Sequence, residues 1–402
     1  MEAKKRVVLG FSGGLDTSFC VKYLTKELKY DVYTVTVNTG GFSDADLKQI
    51  ETHALNLGSV KHINYDATEE YYNSIVKYLI YGNVLKNNTY PLCVSSERLT
   101  QALALARFAK ELKADAVAHG STGAGNDQVR FDMVIEITNP SLKIITPIRD
   151  LKLSRQEETE YLKKENVKMN FEKSAYSINK GLWGTSVGGK ETLTSSDPLP
   201  ESAWPTPVSK TNPEKITLEF SKGEFTSVNG KTFKNPVQAI QYLQQLAQPF
   251  GIGRDIHIGD TIIGIKGRVG FEAAAPLIIL KAHHALEKHV LTKWQLYWKD
   301  SLAQFYGNWL HEGQILDPVM RDIEKFFEES QQHVTGKVFV TLNPYRFTVD
   351  GIESKYDLMN SKFGSYGEMN KSWTGDDVKG FTKIFGNQLS IYQQIKTANE
   401  KN

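Results

Sequence analysis

The sequence predicts an α/β protein: a doubly wound parallel sheet, then an α+β domain, then a C-terminal helical tail. Three observations lead there. Short β-like runs alternate with helical patterns through the first part of the chain, as they do when a parallel sheet is covered on both faces. The first run ends in "SGGLDTS", a glycine turn between a strand and a helix. From about Asn166 the texture changes to clustered glycine, serine and proline, and a period-two meander follows.

Taken in order, Val7–Phe11, Asp31–Val37, Val60–Tyr65, Ala114–Ala118 and Lys143–Ile148 read as strands. Ser18–Leu28, Ser43–Leu57, Thr68–Leu79 and Ser96–Leu112 read as helices, the last with leucines and alanines at helical spacing. Ser154 and Glu157 are placed as a capping box. "SINKGLWGTSVGGKETLTSSDPLPESAWPTP" reads as a long ordered or functional loop. "ITLEFSKGEFTSVNGKTF" reads as a meander turning at Asn229–Gly230, with a helix around Pro236–Leu246 after it. "GDTIIGIKGRVG" reads as one strand, "AAAPLIILKAHHALEKHVLTKWQLYW" as one long helix, and "GKVFVTLNPYRFTVDGIE" as two strands. In the tail, Phe381, Ile384, Phe385, Leu389, Tyr392 and Ile395 fall on one helical face. The expected division is 1–166, 167–375 and 376–402.

With 402 residues the chain exceeds the usual size of one domain. A formal net charge of +2 gives no strong field toward nucleic acid or a membrane surface. No apolar run approaches the roughly 18 residues of a membrane span, and the N-terminus lacks an apolar stretch of signal-peptide length. Two cysteines, Cys20 and Cys93, make neither a disulfide framework nor a zinc set. A cytoplasmic protein is expected. His283, His284 and His289 do not share a helix face, so no protein-held metal site is expected there.

The glycine turn suits an anion. Unpaired N–H groups and the positive end of a helix dipole converge at a helix start. Gly13 and Gly14 let the backbone come close, and Ser12, Thr17 and Ser18 add hydroxyls. The turn lacks a Walker A pattern, and "NGKT" at 229–232 lies in a hairpin pattern without the upstream glycine. A second loop, "AVAHGSTGAGNDQVRF", begins at a strand end and offers Asn126, Asp127, Gln128 and Arg130 within five residues. Arginine suits a carboxylate and aspartate an ammonium, so this set can bind amino acids. The bland alternative is a capped loop with a local Asp–Arg pair.

"SGGLDTS" resembles the pyrophosphate loop of the ATP pyrophosphatases, which include argininosuccinate, asparagine, GMP and NAD synthetases and some tRNA-thiolating enzymes. "FSGGLDTS", "HGSTGAGNDQVRF" and "YSINKGLWGTS" stand in the order and spacing of the argininosuccinate synthase family, and this resemblance covers nearly the whole chain. It implies an adenine nucleotide alpha hydrolase-like first domain and a synthetase/multimerisation domain after it. It further implies condensation of citrulline with aspartate through citrullyl-AMP, with ATP and Mg²⁺, in a homotetramer assembled through the tail. For ATP it implies Gly10, Phe11, Ser12, Gly13, Gly14, Leu15, Asp16, Thr17, Ser18, Val37, Ala118, His119, Gly120 and Gly125. For aspartate it implies Thr122, Asn126 and Asp127, and for citrulline Tyr90, Ser95, Asn126, Arg130, Ser177 and Ser186. Asp16, Asp127 and Arg130 are the expected catalytic residues, Asp16 as either a magnesium-linked carboxylate or a loop orienter.

The chain departs from the family pattern twice. Gly259 stands where a glutamate is usual, and Phe271 where a tyrosine is usual. Asp260 and Glu272 are the neighbouring carboxylates expected to compensate. Two other readings remain. A tRNA-thiolating enzyme would need a basic RNA surface and reactive cysteines. A non-catalytic adenine-nucleotide-binding module would need neither the second loop nor the second domain.

Overall fold

A computed structural model describes residues 4–171, 176–360, 366–368 and 372–400. The chain forms two compact units, Met1–Lys355 and Tyr356–Asn402. In the first, β1 (Arg6–Gly10), β2 (Asp31–Asn38), β3 (Lys61–Asp66), β4 (Ala116–Ala118) and β5 (Lys143–Ile145) make a parallel sheet in the order β3-β2-β1-β4-β5. This is the doubly wound fold the alternation predicts. Val7, Val8 and Leu9 of β1 and all of β4 are fully buried, as strands covered on both faces must be. The chain moves outward from β1 to β3 and then returns to β4 on the other side of β1. The carboxyl ends of β1 and β4 therefore splay two loops apart over a topological switch point, where such sheets bind ligands.

The helices Leu15–Lys26, Asp44–Leu57, Cys93–Glu111 and Arg155–Lys164 stand close to their expected positions. Ser154 and Glu157 form the capping box: the Ser154 Oγ accepts from the Glu157 N–H (3.3 Å), and the Glu157 carboxylate accepts from the Ser154 N–H (2.7 Å). The helix from Thr68 runs on to Gly82, with a π-helical turn at Tyr72–Val76. Asp127–Thr138 is a helix that the apolar pattern did not announce.

Beyond residue 176, β6 (Ser177–Gly181), β7 (Gly184–Gly188), β8 (Glu214–Ser221), β9 (Glu224–Val228), β10 (Lys231–Thr232), β11 (Arg254–Asp260), β12 (Lys266–Glu272), β13 (Gly336–Asn343) and β14 (Arg346–Glu353) build two sheets. Their orders are β10-β9-β8-β13-β14 and β11-β12-β7-β6, and every pairing is antiparallel. The meander turns at Asn229 and Gly230, both left-handed (φ +52° and +75°).

Three expectations are corrected. The serine-rich loop opens with the β6–β7 hairpin, because its Ser177–Gly188 segment pairs with itself and with β12. "GDTIIGIKGRVG" is a hairpin: the Thr261 N–H donates to the Ile265 carbonyl (2.8 Å), and Gly264 supplies a left-handed φ of +82°. The long helix is two, Ala274–Val290 and Lys293–His311, because Thr292 caps the second with Gln295 and ends the first.

The second unit carries two helices, Gly375–Phe385 and Asn387–Asn399, where one was expected. Phe381, Ile384, Phe385, Leu389, Tyr392 and Ile395 are all exposed. No helix among the described residues is long and apolar enough to cross a membrane.

Candidate functional site

A cavity of about 930 Å³ opens over the carboxyl ends of β1 and β4 and reaches the sheet β11-β12-β7-β6. One end is the glycine turn. Gly13 has φ +78°, which only glycine adopts without strain, and a Cβ there would meet Ile50 Cγ1 at 3.3 Å. That bend swings Gly14 into position as the N-cap of Leu15–Lys26, with no side chain capping it. The first-turn N–H groups are thus left for a ligand. The Thr17 hydroxyl donates to the Gly14 carbonyl (3.3 Å) and lies 3.4 Å from Ser12 Oγ. The Thr36 hydroxyl ties the turn to β2 through the Phe11 carbonyl (2.6 Å).

Of the residues expected at ATP, Gly10, Phe11, Ser12, Gly14, Leu15, Asp16, Thr17, Val37, His119, Gly120 and Gly125 line the cavity. Gly13, Ser18 and Ala118 do not. Gly13 acts through backbone shape. Ser18 is fully buried, and its Oγ donates to the Gly14 carbonyl (2.7 Å) and meets His53 Nε2 (2.9 Å), so it braces the turn from behind. Ala118 is sealed within β4. Behind Asp16 sits Glu158, buried, with Oε2 lacking a hydrogen-bond partner. Burial and the neighbouring Asp16 push its carboxyl up to about 8. His119 takes the Ser121 N–H at Nδ1 (3.3 Å), so Nε2 carries the hydrogen that reaches Asp132 (2.8 Å). Asp132 is held in turn by Arg149 (2.5 Å).

Asp127 starts the helix Asp127–Thr138 and sits between two guanidinium groups, Arg98 Nε at 3.0 Å and Arg130 Nη1 at 2.9 Å. Burial pushes its carboxyl up, but the two arginines outweigh it and hold the group below its ordinary value. The local Asp–Arg pair is therefore present, with a second arginine added. Arg130 is buried and also donates to the His311 carbonyl from Nε (3.0 Å) and Nη2 (2.9 Å). Arg98 reaches Glu97 (2.9 Å), Gln101 (3.0 Å) and Asn179 (3.2 Å) as well. Burial pushes the Glu97 carboxyl up to about 7, against the pull of Arg98 and the Thr39 hydroxyl. The Asn126 side-chain Oδ1 accepts from the Ile262 N–H (2.9 Å), joining this loop to the β11–β12 turn.

The far wall is one face of the antiparallel sheet. The register pairs Asn179 with Ser186, Ser186 with Phe271, His257 with Val269 and Gly259 with Gly267, so these residues share that face. Ser177, Ser186 and Asp260 line the cavity together with Thr122, Asn126, Tyr90, Ser95 and Arg130. Tyr90 stacks on His257 (5.1 Å between centroids) and tilts against Phe271 (5.4 Å).

The expected compensation by Glu272 is overturned. Glu272 is buried outside the cavity and paired with Arg254 (3.2 Å), because it follows Phe271 and so projects from the opposite face. Asp260 lines the cavity but is paired with Lys266 (2.6 Å). The space beside Gly259 is taken by an imidazole: a Cβ there would lie 2.5 Å from His257 Nε2.

Arg98, Glu97, Asn179, His257 and His311 were missed by sequence reasoning. For Arg98 a signal existed, since Val94, Arg98, Gln101 and Leu105 follow one helical face and all line the cavity. For His257 and His311 there was none, because strand pairing and helix packing bring them in. His283, in the triple-histidine segment, bonds to Asn83 (2.6 Å) and Gln331 (2.9 Å) in the core.

Residues 6–168 match the family described as "Arginosuccinate synthase N-terminal HUP domain", and residues 176–392 match "Arginosuccinate synthase C-terminal domain". The chain is 37% identical over 393 residues to an argininosuccinate synthase of Methanocaldococcus jannaschii, covering 97% of this chain and 98% of the relative. It is 36% identical over 392 residues to that of Dictyoglomus turgidum (97% and 98%). It is 36% identical over 405 residues to that of Xanthomonas campestris (98% and 99%). On these matches, which run through both the parallel-sheet region and the region that walls the far end of the cavity, the chain belongs to the argininosuccinate synthase family.

Proposed function

We propose that this chain is a carbon–nitrogen ligase that binds ATP and joins citrulline to aspartate, giving argininosuccinate, AMP and pyrophosphate. The observation that supports this most is that the glycine turn, the 118–130 loop and the serine-bearing hairpin open onto one cavity. A ureido carbon is a poor electrophile, because its nitrogens donate into it. The ureido oxygen attacks the α-phosphorus of ATP, an O–P bond forms and pyrophosphate leaves. The aspartate amine then attacks the activated carbon, and AMP leaves with the former ureido oxygen. The protein positions the reactants and stabilises charge.

In this reading the unpaired N–H groups after Gly14 and the hydroxyls of Ser12 and Thr17 hold the departing pyrophosphate. Val37, His119, Gly120 and Gly125 flank the nucleotide. Thr122, Asn126 and Asp127 take aspartate, and Tyr90, Ser95, Arg130, Ser177 and Ser186 take the ureido acid. Among the described residues no three His, Cys, Asp or Glu side chains could cage a metal. One carboxylate, Asp16, beside a phosphate-binding turn suits magnesium, which is typically bound through one or two carboxylates and substrate phosphates. Held by Asp16 and the substrate phosphates, magnesium would neutralise phosphate charge. Cys20 and Cys93 are buried, and burial pushes both thiols up, which speaks against the sulfur chemistry of the tRNA-thiolating reading.

Residues 1–166 carry the nucleotide, 167–375 complete the amino-acid sites, and 376–402 assemble a homotetramer that works in the cytoplasm without nucleic-acid or membrane partners. The exposed stripe Phe381, Ile384, Phe385 and Leu389 supports the assembly role. Truncation before Asp376 is expected to lower the mass seen by light scattering; an unchanged mass would remove that role. The ligase reading is tested by mixing protein, ATP, Mg²⁺, citrulline and aspartate and looking for argininosuccinate, AMP and pyrophosphate. ATP cleaved to ADP, or no aspartate-dependent product, would defeat it.

A further inference from the structure

The cavity wall around Gly259 offers a cation no carboxylate that lacks a basic partner. Among the described residues, the acidic groups that line the cavity away from the glycine turn are Glu97, Asp127 and Asp260. Glu97 and Asp127 are engaged by Arg98 and by Arg98 and Arg130 respectively, and Asp260 by Lys266. Asp255 and Glu272 lie outside the cavity. His257 fills the space a side chain at 259 would take, and its Nδ1 is buried without a hydrogen-bond partner. Ser95 Oγ, also on the wall, is buried and unpartnered as well. Around these stand the hydroxyls of Ser177 and Ser186, with Val269 and the ring of Tyr90 as apolar surface.

An ammonium group set against this wall would lose its water and find no free anion. Burying an unpaired charge is far more costly than burying a neutral amide. The surroundings already resist positive charge: burial and the nearby Lys86, outweighing Asp255, bring His257 down to about 4, and burial with Arg130 brings His311 down to about 3. A neutral imidazole offers one ring nitrogen as donor and one as acceptor, and serine hydroxyls offer both. An amide needs one donor and one acceptor, and its acyl carbon can pack on Tyr90 and Val269.

We propose that the preferred acceptor in this cavity is a ureido acid whose α-nitrogen is uncharged, blocked as an amide, rather than one carrying a free α-ammonium. The inference rests on the ligase reading above. The reaction is unchanged: the same O–P and C–N bonds form, pyrophosphate and AMP leave, and the amide takes no part.

The test compares citrulline, Nα-acetylcitrulline and 5-ureidopentanoic acid, each with ATP, Mg²⁺ and aspartate, by pyrophosphate release and mass of the condensed product. Acetylcitrulline is expected to exceed citrulline in kcat/KM by at least about 10-fold, with 5-ureidopentanoic acid between them. Citrulline equal to or better than acetylcitrulline would overturn the inference and leave the ligase reading standing. Inactivity with all three would overturn both. In the double variant His257→Gly/Gly259→Glu, a carboxylate takes the place of the imidazole, and the preference is expected to move toward citrulline. An unmoved preference in a variant with the parent's circular dichroism spectrum and melting temperature would also overturn it.

Discussion

At the glycine-turn end the cavity is made largely of backbone at adjacent strand ends, and its residues fall in short runs, each contiguous in sequence. At the hairpin end it is made of side chains from a helix near residue 98, a loop near 127, two hairpins and a helix end at 311. The first end works through N–H groups that any correct turn supplies, so it depends on φ angles and small residues. The second works through a network in which Asp127, Arg98, Arg130 and His311 hold one another, so it depends on each partner. A motif can describe the first, whereas the second exists only when distant segments have packed.

This contrast can be broken at either end. The largest effect is expected from Gly13→Val, because a β-branched residue at φ +78° is strained and its side chain meets Ile50. ATP binding by calorimetry is expected to vanish while far-ultraviolet circular dichroism keeps the parent spectrum; retained affinity would unseat the turn as the phosphate site. Next comes Asp127→Ala. Removing one partner of a hydrogen-bonded charge network costs about 2–5 kcal/mol. Because both Arg98 and Arg130 lose their anchor, citrulline-dependent positional isotope exchange in ATP and argininosuccinate formation are expected to fall together. Exchange that survives while product formation is lost would instead make Asp127 a partner of the aspartate ammonium alone.

Ser186→Ala should be milder. A neutral hydrogen bond is worth about 0.5–1.5 kcal/mol, so the KM of the ureido acid is expected to rise about 2- to 12-fold with the aspartate KM unchanged. Equal rises in both would deny the hairpin end its selectivity. The smallest effect on activity is expected from Glu158→Gln, which sharpens the comparison through stability. The Glu158 carboxyl is raised from 4.5 to about 8. The folded state therefore holds a proton that the unfolded chain releases between those values, and its stability falls as pH rises through that window, by at most about 1.4 kcal/mol per pH unit. Thermal melts from pH 5 to 8 should show a shallower decline in Glu158→Gln. Identical slopes would remove Glu158 as the source.

Much of the fold was legible because it is locally encoded. The strands of the parallel sheet are short apolar runs bounded by turns, and the Ser154–Glu157 cap and the Asn229–Gly230 turn are set by neighbouring residues. What misled was also local: "GDTIIGIKGRVG" carries Ile262, Ile263, Ile265 and Val269 like a single strand, and its turn depends on Gly264 and a hydrogen bond that spacing does not reveal. Thr292 interrupts a helical pattern that is otherwise continuous, so the break reads only once the cap is seen. Glu272 looked available because sequence gives proximity to Phe271 but not which face of a strand each occupies.

The sequence by itself determined the sheet, its glycine turn and the family, because these rest on short-range steric rules and on motifs a few residues long. Only the tertiary structure decided that Asp127 lies between two arginines, that Ser18 and Glu272 turn away from the cavity, and that His257 fills the place left by Gly259. Those outcomes depend on strand register and on contacts between separate elements, such as Asp127 with Arg98 and Arg130 with His311. Such contacts form only when burial and charge pairing across separate elements are satisfied together.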